Sequence, residues 1–237
     1  LDSAIKYPVY ILVDRNCGSS CELILEAFET ENLVIRQLHT TGETVDALHQ
    51  LFDPAINAAN IANYADGTHG APERVAKKVA LWGTRADNGE AYSCLIGFDK
   101  ETNEPVGFFN LGRSVIKGQD EKMIHESGVF FNVKYGSTPL PVELVSASLH
   151  YFDNITTSNP ENGHEKPFLE GNQLIYTSSD KDTIQVLDDA KMERATLTNE
   201  EIQFLISNSN NRFTVENDLF KEGALEKVLF SHISTDT

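Results

Sequence analysis

Apolar and polar residues change period several times along the chain, and each change marks an element. Residues 7–13, Tyr-Pro-Val-Tyr-Ile-Leu-Val, are β-branched and aromatic and predict a strand or extended arm. Ser19-x-x-Glu22, ahead of an apolar run ending at Phe28, has the pattern of a capping box at a helix start. Leu33 to Leu38 alternates as a strand does, and Val45, Leu48, Leu51 and Phe52 then recur at helical spacing. Pro72 opens a second helix carrying Val75, Val79 and Trp82, since proline suits a first helical turn. The period next falls to two: 91–98 and 106–111 predict strands joined by the polar turn 99–104, and 123–132 a third strand. Residues 139–152 predict a helix with Val142, Val145, Leu149 and Phe152 on one face. From Asp153 to Gly171 the chain is polar and predicts a long loop. A strand over 172–178, a helix over 180–190, another element over 200–206 and a last strand over 225–233 complete the series. The order β-α-α-β-β-β-α-β-α-β predicts an α+β fold, a sheet with helices on its faces.

Composition narrows the partners. The chain has 237 residues with 36 acidic and 19 basic side chains, a formal net charge of −17. Nucleic acid is a poor partner for such a surface, because phosphate binding needs clustered Lys and Arg, and anionic membranes are disfavoured for the same reason. Cationic ligands are favoured by steering, although a solvated acidic surface alone would have the same composition. The apolar run 7–13 is too short to span a bilayer and lacks the flanks of a signal peptide. Cys17, Cys21 and Cys94 match neither a zinc site nor a redox CxxC motif. Free thiols in a reducing compartment are the simplest reading, and a soluble cytoplasmic protein is expected. No metal is expected.

Ser19 and Ser20, beside Cys17, Cys21 and Glu22, invite a serine-hydrolase reading, but no Lys stands at a motif-like spacing to act as base. The capping box is the stronger account of Ser19.

Four strings, in order, carry a resemblance. They are Glu29-Thr-Glu-Asn-Leu-Val-Ile-Arg-Gln-Leu38, Val106-Gly-Phe-Phe-Asn-Leu-Gly112, Glu126-Ser-Gly-Val-Phe-Phe-Asn-Val-Lys-Tyr135 with Glu143 beyond it, and Thr183-Ile-Gln-Val-Leu187 running on to Met192. Together they resemble the GCN5-related N-acetyltransferase family, in particular its ribosomal-protein N-terminal acetyltransferase branch, over roughly residues 29–233. The resemblance implies a mixed, mostly antiparallel twisted sheet with helices on both faces. It divides the chain into an arm over 1–28, a strand plus short helix, and a domain over 29–237 with a loop insertion at about 153–171. It further implies transfer of an acetyl group from acetyl-CoA to a primary amine by direct attack. The acceptor would be a protein N-terminus, a lysine or a small cationic amine.

The site expectations follow from that resemblance. The family's phosphate loop, Q/R-x-x-G-x-G/A, falls on Lys134, Tyr135, Gly136, Ser137, Thr138 and Pro139, with Phe131 and Asn132 leading into it. Backbone N–H groups at a helix start suit an anionic pyrophosphate. Ser137 and Pro139 replace the two glycines, and Pro139 removes one N–H donor. The Ser137 and Thr138 hydroxyls are available as substitutes, and Thr138-Pro139 also reads as a helix cap followed by proline. An ammonium with a pKa of ~10.4 must lose a proton before it attacks, so a base is needed. Glu126 is the candidate base, with an exposed strand carboxylate as its plain alternative, and His125 is second choice. Thr183 stands where the branch carries a serine hydroxyl acid. Asp180 replaces an Asn that can donate to the pantetheine arm, whereas a carboxylate only accepts. Lys191 replaces a glycine before Met192. These departures keep open an alternative: a catalytically degenerate binding or scaffold protein on the same fold.

Overall fold

The computed structural model describes residues 27–63, 70–88, 94–111, 116–117, 123–154, 156–158, 165–167, 173–178, 180–194 and 228–233. The expected arm strand over 7–13, the capping box at Ser19, Ser20 and the element over 200–206 lie outside them. The chain divides into two compact units, one of 1–109 with 130–147, the other of 110–129 with 148–237.

In the first unit, β1 (Ala27–Glu29) pairs antiparallel with β2 (Leu33–Gln37), Phe28 facing Ile35, and β2 pairs antiparallel with β3 (Cys94–Asp99). β4 (Pro105–Leu111) returns through the predicted turn, closed by the Asp99 N–H donating to the Glu104 carbonyl at 3.0 Å. Ala27 and Phe28, expected at the end of a helix in the arm, are therefore strand. Pairing with Arg36 and Ile35 overrides the local helical pattern, and β1 crosses the expected boundary at 28/29.

Helices α1 (Glu43–Leu51) and α3 (Pro72–Lys78) stand where the periodicity places them. Between them lies α2 (Pro54–Asn63), kinked at Asn57, which the pattern did not show. α3 runs through a π-helical turn, Val79–Gly83, into α4 (Thr84–Asp87). Gly83 is required there: a Cβ on it would lie 2.6 Å from the His39 carbonyl carbon. The core is aromatic. Phe52 lies 4.9 Å from Phe130 and 5.8 Å from Phe108, and Trp82 5.6 Å from Phe108, ring centre to ring centre. Such tilted pairs each add ~0.5–1.5 kcal/mol beyond the area they bury. Gly107 lets the end of the next strand come close, since a Cβ there would meet the Phe130 carbonyl oxygen at 2.4 Å.

Strand β5 (Ile116–Lys117) and strand β6 (Met123–Phe131) pair antiparallel, and β6 pairs parallel with β9 (Gln173–Ser178) over Ile124–Glu126; these paired residues lie in the second unit, while the end of β6, Phe130 and Phe131, belongs to the first. β9 pairs antiparallel with β11 (Val228–Ile233), which pairs with β10 (Glu193–Arg194). The expected loop over 153–171 is not wholly loop. β7 (Thr156–Ser158) and β8 (Glu165–Pro167) form a two-stranded antiparallel ladder inside it, where β-branched Thr156 and Thr157 favour extended backbone. Helix α5 (Leu140–Asn154) begins after Pro139, one residue later than expected, and α6 (Lys181–Asp189) agrees with its pattern. The fold is α+β. Among the described residues no helix is long and apolar enough to cross a membrane.

Candidate functional site

Residues 131–143, all in the first unit, form the link from β6 to α5. Asn132 starts it: its backbone N–H donates to the Val106 carbonyl at 2.8 Å, its side-chain amide to the Pro105 carbonyl at 3.1 Å, and its Oδ1 accepts the Lys134 N–H at 3.1 Å. A 3₁₀ turn, Val133–Tyr135, follows. The unforeseen α2 braces this link. Asn57, fully buried, accepts the Val133 N–H at 2.8 Å and donates to the Leu51 carbonyl, while the Asn60 amide donates to the Phe131 carbonyl at 2.7 Å. Phe131 is buried, so its ring belongs to the core side.

The loop then turns on itself. Tyr135 N–H donates to the Asn132 carbonyl at 2.9 Å, Gly136 N–H to Val133 at 3.3 Å, and Thr138 N–H to Tyr135 at 2.9 Å. The Thr138 hydroxyl also donates to the Tyr135 carbonyl and accepts the Leu140 N–H at 3.4 Å, the cap expected of it. Pro139 and Pro141 bring no donor at all, and the Glu143 N–H is taken by the Pro139 carbonyl. Ser137 is exposed, and neither its N–H nor its hydroxyl makes a hydrogen bond among the described residues. An anion approaching this loop would thus meet Ser137 and the Lys134 ammonium rather than a ring of open N–H groups. That is a reduced donor set, but its chemistry suits a phosphate.

Lys134 is not idle. Its ammonium is paired with the Glu104 carboxylate and lies 5.2 Å from the Tyr135 ring centre. The buried Tyr135 hydroxyl lies 3.2 Å from both Asp99 Oδ2 and Glu104 Oε2, and 3.0 Å from the Thr102 hydroxyl. The Lys134 hydrogen bond holds the Glu104 carboxyl below its ordinary range, and the same bond raises Lys134. Burial alone would raise Asp99, but hydrogen bonds from the Glu101 N–H and the Thr102 and Tyr135 hydroxyls outweigh it and bring it below its ordinary value. Burial raises Tyr135.

Glu143 joins two of the strings that carry the resemblance. Its carboxylate accepts from the Asn32 backbone N–H and side-chain amide, both at 2.9 Å, and from the Thr30 hydroxyl. The start of α5 is thereby fixed to the β1–β2 turn.

The other site residues belong to the second unit. Asp180 is the N-cap of α6, its Oδ2 accepting the Thr183 N–H at 2.8 Å. Asp and Asn cap almost equally well, so the exchange at this position preserves the helix start. Thr183 is half-buried, and its hydroxyl makes no hydrogen bond among the described residues. At the far end of α6, Lys191 has φ 64°, its N–H donating to the Asp188 carbonyl at 3.0 Å and that of Met192 to Leu187 at 3.1 Å. This is a Schellman turn, which ordinarily takes glycine. Glu126 sits in β6 opposite Ile175, and His125 opposite Leu174; their side chains lie outside the description. Among the described residues no group of three or more metal-ligating side chains comes together.

No protein-family profile matches the chain, and no curated protein sequence matches it. Solved structures do. A ribosomal-protein-S5-alanine acetyltransferase from Vibrio fischeri aligns with a TM-score of 0.55 at 13% identity, over 89% of this chain and 97% of that one. An acetyltransferase from Agrobacterium tumefaciens aligns at 0.53 and 12%, over 93% and 99%. A GNAT-family acetyltransferase from Bacillus anthracis aligns at 0.52 and 14%, over 88% and 98%. The chain has the fold of the GCN5-related N-acetyltransferases.

Proposed function

We propose that the chain is an acetyl-CoA-dependent N-acetyltransferase that acetylates a primary amine, with the β6–α5 link as its phosphate-binding element. The observation that supports this most is the presence, in the loop before α5, of the Lys134 cation and of an exposed Ser137 with no hydrogen bond among the described residues, in a fold shared with acetyltransferases along nearly their whole length. A ribosomal L7/L12 α-N-protein acetyltransferase in complex with coenzyme A is among the structures that share the fold, at a TM-score of 0.51. Its name favours a protein N-terminus or similar amine as acceptor, and the net charge of −17 favours a cationic one. When bound, acetyl-CoA supplies an activated thioester acyl group. In this reading Lys134 and Ser137, in the first unit, would hold its phosphates; Glu126 and Thr183, in the second, are the candidate base for the acceptor ammonium and the candidate hydroxyl acid for the departing thiolate. Asp180 acts through Thr183, whose backbone it fixes.

The inward-turned N–H groups of residues 134–136 and 138 favour a second reading, a binding protein on this fold that has lost transfer. A free-thiol assay separates the two. The enzyme releases CoA in the presence of a peptide N-terminus or a polyamine, and acetyl-CoA binding without CoA release from any amine would leave the binding protein.

A further inference from the structure

The ion pair between Lys134 and Glu104 is built into the first unit on both sides. Glu104 closes the β3–β4 turn through its carbonyl, which accepts the Asp99 N–H at 3.0 Å, and its Oε2 lies 3.2 Å from the Tyr135 hydroxyl. Lys134 follows Asn132, which is fastened to Pro105 and Val106, the residues after Glu104. The carboxylate and the ammonium are therefore presented to each other by two short, fixed stretches of backbone. Both remain reachable from water, the Lys134 side chain 51% and the Glu104 side chain 43% exposed, so exchange of partners requires no unfolding.

We propose that Glu104 determines the affinity of this element for the anionic end of acetyl-CoA by competing with phosphate for Lys134. This rests on the functional reading above. Pro139 and Pro141 supply no N–H, and the amides of residues 134–136 and 138 turn inward, leaving that of Ser137, so the Lys134 ammonium carries a larger share of anion recognition than a single lysine does in a loop of open amides. A phosphate gains it only by displacing Glu104, and afterwards sits beside that displaced charge. Thr102 and Asp99 lie within reach of the Tyr135 hydroxyl and keep it in place when Glu104 swings away. The result is a site kept loose for its ligand by its own carboxylate, so that bound cofactor or product is readily exchanged.

The test is calorimetric titration of the intact chain with CoA and, separately, with inorganic pyrophosphate. Glu104→Gln keeps an acceptor for Tyr135 and removes the competing charge; it is expected to tighten both ligands about two- to fivefold, the range of an exposed ion pair. Glu104→Asp retains the charge and is expected to leave affinity nearer the wild type. In a Lys134→Gln background the gain from Glu104→Gln is expected to shrink. Because the pair is exposed, melting temperatures of the variants provide an independent check that each is folded. If CoA binds the wild type and Glu104→Gln binds it no tighter, the competition is refuted while the functional reading stands. If the folded wild type and all variants fail to bind CoA at millimolar concentration, the functional reading fails and the competition with it.

Discussion

The helices α5 and α6 open in contrasting ways, each within its own unit. Around α5 most backbone donors are absent or turned inward: Pro139 and Pro141 have no N–H, the preceding loop satisfies its own amides except that of Ser137, and a side chain from the helix itself, Glu143, reaches back to hold Thr30 and Asn32. At α6 the conventional solution is kept, with Asp180 capping the Thr183 N–H and a Schellman turn closing the other end at Lys191. Both helices depart from the pattern they resemble, yet the departures differ in kind. Asp for Asn at a cap preserves the hydrogen bond, and Lys for Gly at a left-handed turn preserves the bond at a cost in strain. Proline where the resembled pattern has a glycine removes the donor itself, and nothing in the backbone restores it. What a departure means depends on which atom the position was asked to supply.

Four expectations probe that contrast. Glu143→Ala has the largest effect, because it leaves Asn32 and the buried Thr30 without their charged acceptor; a loss of about 2 kcal/mol in urea denaturation is expected. A variant as stable as the wild type would show that α5 is held by packing alone. Asp180→Ala is expected to cost ~1 kcal/mol and Asp180→Asn only a few tenths, since both Asp and Asn cap. Equal losses for the two would mean that charge, not capping, is what α6 needs. Lys191→Gly relieves a left-handed residue and is expected to raise stability by ~0.5–1 kcal/mol. A loss instead would place a contact on the Lys191 side chain.

The smallest effect is on titration. Glu104 and Asp99 lie below their ordinary values of 4.5 and 3.8. A depressed carboxyl stabilises the native state above its unfolded pKa and loses that contribution as pH falls through the folded one. The Glu104–Lys134–Tyr135 network is therefore expected to weaken only as pH drops below the ordinary carboxylate range. Carbon-13 titration of the two carboxyls checks this, and midpoints at or above the ordinary values would contradict it.

Much of the frame was readable from alternation alone. β2, β3, β4 and β6, with α1, α5 and α6, stand where period and turn residues put them: β2 alternates between buried and half-buried positions, while β3 and β4, buried along almost their whole length, are marked by apolar runs bounded by the polar turn 99–104. α2 escaped because its sequence, Pro-Ala-Ile-Asn-Ala-Ala-Asn-Ile-Ala-Asn, has no clean apolar stripe: Asn57 is buried while Ile56 is 42% exposed. The signal in hindsight is the repeated Asn at helical spacing, whose amides brace the β6–α5 link. β7 and β8 escaped because Glu165-Lys-Pro167 pairs through backbone and shows no alternation. Glu143 was visible as part of a pattern, but its purpose depends on a turn more than a hundred residues earlier, which spacing does not reveal. The same is true of Lys134. Its charge was legible, but its engagement by Glu104 required the hairpin to be folded.

The central claim is that this element still binds the phosphates of acetyl-CoA through Lys134 and Ser137. Calorimetric titration of the wild type and Lys134→Ala with acetyl-CoA tests it most directly. Saturable binding by the wild type is expected, weakened about tenfold or more in the variant by loss of a charge-assisted hydrogen bond. No binding by the wild type at millimolar acetyl-CoA, or equal affinity in the two proteins, would contradict it.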